Sequence, residues 1–130
     1  MSFKSDIAAW KVKVLKASDA VFRGTCLTIF GSIIRRTPIR IGRLAGNWQT
    51  ELNTIPTGIV DGTGPGQSMA GAVRVMGRAK ITDSAYLINN LPYAKAIEDG
   101  GSTKAPAGMV KVTIAEFQRV VEENARKNKI

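Results

Sequence analysis

Asn89-Asn90-Leu91-Pro92-Tyr93-Ala94-Lys95-Ala96-Ile97-Glu98-Asp99-Gly100-Gly101, closed by Ala105-Pro106-Ala107-Gly108-Met109-Val110, is the stretch on which the fold turns. Asn tolerates left-handed backbone and Pro fixes φ, so Asn-Asn-Leu-Pro reads as a turn. Pro92 suits the first position of a short helix, Tyr93 to Glu98, which Gly100-Gly101 stop. Ala-Pro-Ala-Gly then resets the direction of the chain. The stretch therefore joins a strand on its upstream side to a helix on its downstream side.

That upstream strand is Ser84 to Asn89, with Tyr86 and Ile88 on one face and Leu87 on the other. The downstream helix runs from about Gly108 or Met109 to Asn128. Val110, Ile114, Phe117, Val121 and Ala125 make its apolar stripe, opposite Glu116, Arg119, Glu122, Glu123, Arg126 and Lys127. Glu122 with Arg126 and Glu123 with Lys127 are i,i+4 pairs in the favourable order.

At the other end of the chain, Phe3 to Arg36 is helical in pattern. Phe3, Ile7, Trp10, Val14, Val21, Cys26, Ile29, Phe30 and Ile33 recur mostly at three- and four-residue steps. Such a helix would be about 50 Å long at 1.5 Å per residue. A domain of this size is only about 36 Å across. The helix is thus expected either to break between Ser18 and Gly24 or to be covered by a neighbouring subunit. Pro38 ends it, because the residue before a proline avoids helical backbone.

Between these ends, Leu44 to Leu52 is expected as a strand with Leu44, Trp48 and Leu52 inward. Ile55 to Val60 is its expected hairpin partner, through a turn at Asn53-Thr54. Asp61-Gly62-Thr63-Gly64-Pro65-Gly66 reads as a flexible loop, ordered in an assembly against a neighbour. Gln67 to Gly77 reads as a helix with Met69, Val73 and Met76 on one face. The fold class expected is α+β: a long N-terminal helix, a small mostly antiparallel sheet, and a C-terminal helix packed on it, in one domain spanning residues 1–130.

Two stretches carry a resemblance. Asn89 to Gly101 with Ala105 to Val110, and Thr37-Pro38-Ile39-Arg40-Ile41-Gly42-Arg43-Leu44 after a long helix, resemble the tail-completion (minor tail, head–tail joining) proteins of long-tailed bacteriophages. That family commonly reads Thr-Pro-Val-Asp-Thr-Gly-Arg-Leu at the second stretch. Arg40 and Ile41 depart from it, as does Asp99, where an aromatic is usual. The resemblance covers roughly Thr37 to Phe117, and neither motif is catalytic. It implies a virion protein made in the host bacterial cytoplasm and placed in the tail or neck. It also implies a ring of copies, a hexamer, that meets the tail-tube protein and the head-completion or connector proteins, with viral DNA passing through.

The composition agrees with a packed domain that meets an acidic surface. Of 130 residues, 44% are hydrophobic, ordinary for a globular chain. The net charge is +9 and is concentrated before residue 81, where twelve bases face four acids. Such an imbalance points to nucleic acid or an acidic protein face. Met1 to Lys16 carries charges throughout and lacks the apolar core of a secretory signal. No run approaches the ~20 apolar residues of a membrane span, so no membrane partner is expected.

Reactive groups are scarce. There is no histidine, the commonest general base and metal ligand. One cysteine, Cys26, makes no internal disulfide and sits on a helix as a small apolar residue. The acids show no zinc or calcium spacing, and adjacent Glu98 and Asp99 diverge on a helix rather than converge on one bond. Gly62-x-Gly64-x-Gly66 lacks the Lys-Ser/Thr of a phosphate loop, and Pro65 removes an amide from it. No enzyme activity and no cofactor are expected.

The informative polar feature is Arg35, Arg36, Arg40 and Arg43, four arginines in nine residues without an acid among them. Their bidentate forks suit carboxylate and phosphate alike. The candidate subunit or partner interface is therefore Arg35, Arg36, Arg40, Arg43, Gly62, Gly64, Gly66, Arg74, Arg78, Glu98 and Asp99. Glu98 is expected to fix the Gly100-Gly101 turn or to meet a basic residue such as Arg43 of another copy. The alternative is a small basic nucleic-acid-binding protein using the Arg35–Arg43 patch, although few aromatics interleave with the arginines as a stacking platform would need.

Overall fold

A computed structural model describes residues 3–39, 42–101, 105 and 107–128, and for residues 3–15 it describes the backbone alone. Among these residues, six helices and two strands follow in the order α1 (Phe3–Arg36), α2 (Gly42–Ala45), β1 (Gln49–Leu52), α3 (Pro65–Met76), β2 (Ala85–Ile88), α4 (Ala94–Glu98), α5 (Val110–Ile114) and α6 (Phe117–Lys127). The class is α+β, with the long first helix, the small antiparallel sheet and the C-terminal helix all present. That last helix, α6, meets the molecule along α1.

Helix α1 is unbroken over its 34 residues. A glycine costs a helix interior about 1 kcal/mol, but at Gly24 tertiary packing uses the missing side chain. Asn124 of α6 comes so close that a Cβ on Gly24 would collide with its Oδ1. Further anchors lie one turn earlier, where Arg23 donates to Ala79 O at 3.2 Å and Asp19 accepts from Ile81 N at 2.7 Å. Of the apolar stripe, Ile29 and Ile33 are buried and Phe30 packs partly against them. The side chains of Phe3, Ile7, Trp10 and Val14 lie outside the described residues.

Helix α1 stops where the sequence says it should. Before Pro38, Thr37 turns its hydroxyl back to Ile33 O at 2.9 Å and receives the indole N–H of Trp48 at 2.8 Å. Trp48 is thereby a satisfied core residue, sharing the core with Ile29, Ile33, Ile34, Leu44, Leu91, Ile97, Met109 and Val120.

The sheet departs from the expected hairpin. Strand β1 pairs antiparallel with β2, from Gln49↔Ile88 to Leu52↔Ala85, and Ile55–Val60 is no strand at all. Leu44 lies in the short α2 rather than at a strand start. Pro56 has no N–H to give a ladder, and Gly58 sits at φ 82°, so the segment cannot run as a regular strand. Asn53, at φ 64°, closes the β1 end instead: its N–H reaches Ser84 O at 2.7 Å and its amide oxygen takes Ser84 N–H at 2.9 Å.

Two helical faces are also rotated from expectation. On α3 the buried residues are Ser68, Ala72, Val75 and Met76, while Val73 is 53% exposed. The C-terminal helix divides at Ala115-Glu116, and Thr113, Val120 and Asn124 are the residues that go inward. Ile114 and Phe117, expected inside, are 52% and 48% exposed. Thr113 and Asn124 bury without leaving their donors idle, because each bonds a carbonyl of its own helical turn, Met109 O at 2.9 Å and Val120 O at 2.9 Å.

Candidate assembly surface

The start of the glycine loop, at Gly62, is packed within the subunit, whereas Gly64 and Gly66 have open space where a Cβ would stand. The backbones of Gly46 and Gly62 touch: a Cβ on Gly62 would lie 2.6 Å from Arg43 O and 2.8 Å from Asn47 Nδ2. Asn47 is fully buried at this crossing. Its amide donates to Arg43 O at 2.8 Å and Val60 O at 3.0 Å, and its oxygen accepts from Val60 N at 2.9 Å. Gly64 then precedes α3, and Pro65 and Gly66 open that helix, with Thr63 N held by Gln67 Oε1 at 3.0 Å.

The same device fixes the segment before the glycines. Gln49 donates to Gly58 O at 2.9 Å, and Asn90 donates to Pro56 O at 3.1 Å and Gly58 O at 2.9 Å. Three amide side chains thus hold the carbonyls of Pro56, Gly58 and Val60. Pro56 is buried beneath, and Ile55, Ile59 and Val60 are left outward, at 56%, 46% and 36% exposure. Beside them runs an open groove of about 260 Å³, bordered by Val60, Gln49, Glu51, Gln67 and Arg74.

Of the expected arginine cluster, Arg36 is engaged within the subunit. Arg36 donates to Thr113 Oγ1 at 2.7 Å and to Glu116 at 2.8 Å, tying the end of α1 to both sides of the α5–α6 turn. Arg119 extends this network to Glu116 and Glu123. Among the described residues these are the ion pairs that α6 makes, rather than the expected Glu122–Arg126 and Glu123–Lys127. Arg35 is exposed and reaches Ser32 alone, and Arg43 is exposed on α2. Arg40 lies outside the described residues. Arg74 and Arg78 are exposed at the end of α3.

Glu98 has an intramolecular hydrogen-bonding role beside the Gly100-Gly101 turn. One carboxylate oxygen accepts from Met109 N at 2.7 Å and Val110 N at 2.8 Å, and the other accepts from Lys111 N at 2.9 Å. These are amides of the first turn of α5, which lack partners inside the helix. Burial pushes the pKa of this carboxyl up, but the three amides and the Lys111 charge outweigh it and hold the pKa below its ordinary value. Asp99 faces Lys95 and Lys111, each at 3.5 Å. Cys26 is half-buried, and that burial pushes its thiol up to about 11, far from a reactive thiolate.

Sequence reasoning missed Asn47, Asn90 and Glu116 as the residues that shape this surface. The Asn-Asn turn composition was a visible signal for Asn90; nothing in local spacing marks Glu116, which meets Arg36 across 80 positions. Among the described residues no three His, Cys, Asp or Glu side chains are grouped to hold a metal, and no helix is long and apolar enough to cross a membrane. No known family matches the chain, and neither a curated protein nor a solved structure does.

Proposed function

We propose that this chain is a structural virion protein of a long-tailed bacteriophage, a subunit of a ring at the head–tail junction that completes the tail tube and joins it to the head. One observation supports the reading most. The two stretches that resemble the tail-completion proteins, 45 positions apart, meet in the fold: Asn89 Nδ2 donates to Leu44 O at 3.0 Å. Leu44, Leu91, Ile97 and Met109, all from those stretches, share the core. The motifs therefore act together as a scaffold for a surface. That suits a protein whose work is shape.

On this reading the partners are further copies of the chain, the tail-tube protein and the connector, and the exposed Arg35, Arg43, Arg74 and Arg78 meet acidic protein or passing DNA. The test is the mass of the purified protein in solution, alone and with tail-tube protein. A ring-sized species on the tube supports the proposal; a chain that ignores tubes argues against it. A small basic nucleic-acid-binding protein would instead bind any duplex with steep salt dependence. The commitment of Arg36 to Glu116 removes one of the four charges which that alternative used.

A further inference from the structure

Residues 54–59 form an arch between two fixed posts. The upstream post is Asn53, whose N–H donates to Ser84 O at 2.7 Å and whose amide oxygen accepts from Ser84 N at 2.9 Å. Its amide nitrogen also donates to Asp83 Oδ1 at 3.0 Å. The downstream post is Val60, bonded through both its N–H and its carbonyl to the buried Asn47. Between the posts, the N–H groups of Thr54, Ile55, Thr57, Gly58 and Ile59 donate to no partner among the described residues. All five of these residues are exposed, and Pro56 alone is buried.

Side chains, not a backbone ladder, hold the arch down. Gln49 donates to Gly58 O at 2.9 Å, and Asn90 donates to Pro56 O at 3.1 Å and Gly58 O at 2.9 Å. Gln49 stands opposite Ile88 across the strands, and Glu51 opposite Tyr86. Alternate residues of a strand share a face, so these four side chains lie on one side of the sheet. The bond from Gln49 therefore lays the arch over that side. Both bonds to Gly58 O are open to solvent, where a protein partner is exchanged for water at little net cost. A segment with so few buried contacts opens well before the whole chain unfolds.

We infer that residues 54–59 are a latched lid, which lifts off this side of the sheet as a unit while the core stays folded, with Gln49 and Asn90 as the latch. Lifting breaks the three latch bonds and unseats Pro56, and it spares the bonds at both posts. Tyr86 and Ile88, half-buried when the lid is down, are uncovered when it rises. The latch thus sets how often that side of the sheet is open to solvent. The lid does not depend on the proposed ring.

The experiment places a thiol under the lid. Pro56→Cys in a Cys26→Ser chain leaves that thiol as the sole cysteine, and its labelling by a maleimide is followed in native buffer and in low urea. Global unfolding is measured in parallel by circular dichroism. The lid predicts labelling slower than that of a free peptide cysteine, yet faster than global unfolding allows and almost independent of urea, because lifting exposes little surface. Adding Gln49→Ala and Asn90→Ala speeds labelling by about tenfold, the worth of one or two hydrogen bonds, with the urea midpoint little changed. Labelling that tracks global unfolding, labelling as fast as in a free peptide, or an unchanged rate in the latch variant overturns the lid. The chain with Pro56 intact gives a second readout. Thermolysin, which cuts ahead of large apolar residues, nicks the folded protein before Ile55 or Ile59 faster when the latch is removed, and equal rates contradict the lid as well.

Discussion

The carboxylate of Glu98 lies 2.7 Å from the amide nitrogen of Met109, across the turn that Gly100 and Gly108 make with φ of 94° and 90°. Through this contact the end of α4 caps the start of α5, with Val110 and Lys111 sharing the carboxylate. A single side chain thereby closes the segment that carries the longer motif. It also fixes where the stripe of Ile114 and Phe117 emerges.

Removing that charge should loosen the closure. Glu98→Gln keeps one acceptor oxygen, but it removes the charge and turns the other oxygen into a donor facing an α5 amide, and should cost about 1–3 kcal/mol. Urea unfolding reads this as a lower midpoint with an unchanged slope. A midpoint equal to wild type would show that water replaces the carboxylate at no cost.

The same contact sets a pH dependence. Glu98 titrates below its ordinary 4.5 in the folded chain. A lowered folded pKa adds stability above the unfolded value, and that stability is lost as pH falls through the folded one. The stability gap between wild type and Glu98→Gln should be full at neutral pH and shrink on acidification below 4.5. A gap that stays constant into strong acid would contradict the capping role.

Arg35 and Arg36 are adjacent and should respond differently to charge reversal. Arg36→Glu loses the bonds to buried Thr113 and to Glu116, in an ion pair whose side chains are only about one-third exposed, and should cost about 1–2 kcal/mol. Adding Glu116→Arg should return part of that loss. Arg35→Glu should stay within about 0.5 kcal/mol of wild type. Thermal unfolding of the three variants decides this, and equal effects at both positions would refute it. Arg35 is consequently the clean probe of assembly, and Arg36 is a probe of folding.

Two glycines should respond with opposite sign. Gly62→Ala drives a Cβ into Arg43 O and the Asn47 amide and should destabilise by about 1–3 kcal/mol. Gly71, in the middle of α3, has nothing within 4 Å of an added Cβ. Gly71→Ala should stabilise by up to about 1 kcal/mol. Denaturation of both variants checks the pair; a tolerated Gly62→Ala would mean that the loop is mobile after all.

Much of this was legible from local rules. The long helix, its stop at Pro38, the Ala85–Ile88 strand and the Pro92–Gly101 turn all follow from short-range signals that tertiary structure left in force. The sheet partner was not, although Pro56 already warned against Ile55–Val60 as a strand, because the distant pairing of Gln49 with Ile88 and Leu52 with Ala85 competes with a hairpin that looks cheaper to close. The inward face of the last helix misled for a different reason. Thr113 and Asn124 satisfy themselves on their own turns, so polar residues went inside and the apolar stripe stayed out.

The central claim is that this chain is a subunit of a viral neck. Quantifying it in purified particles by mass spectrometry, with gold-labelled antibody to place it, tests that most directly. The account predicts a small ring-sized copy number per particle, with label at the junction of head and tail. Particles of the encoding virus that lack the protein, or carry it elsewhere, would contradict it.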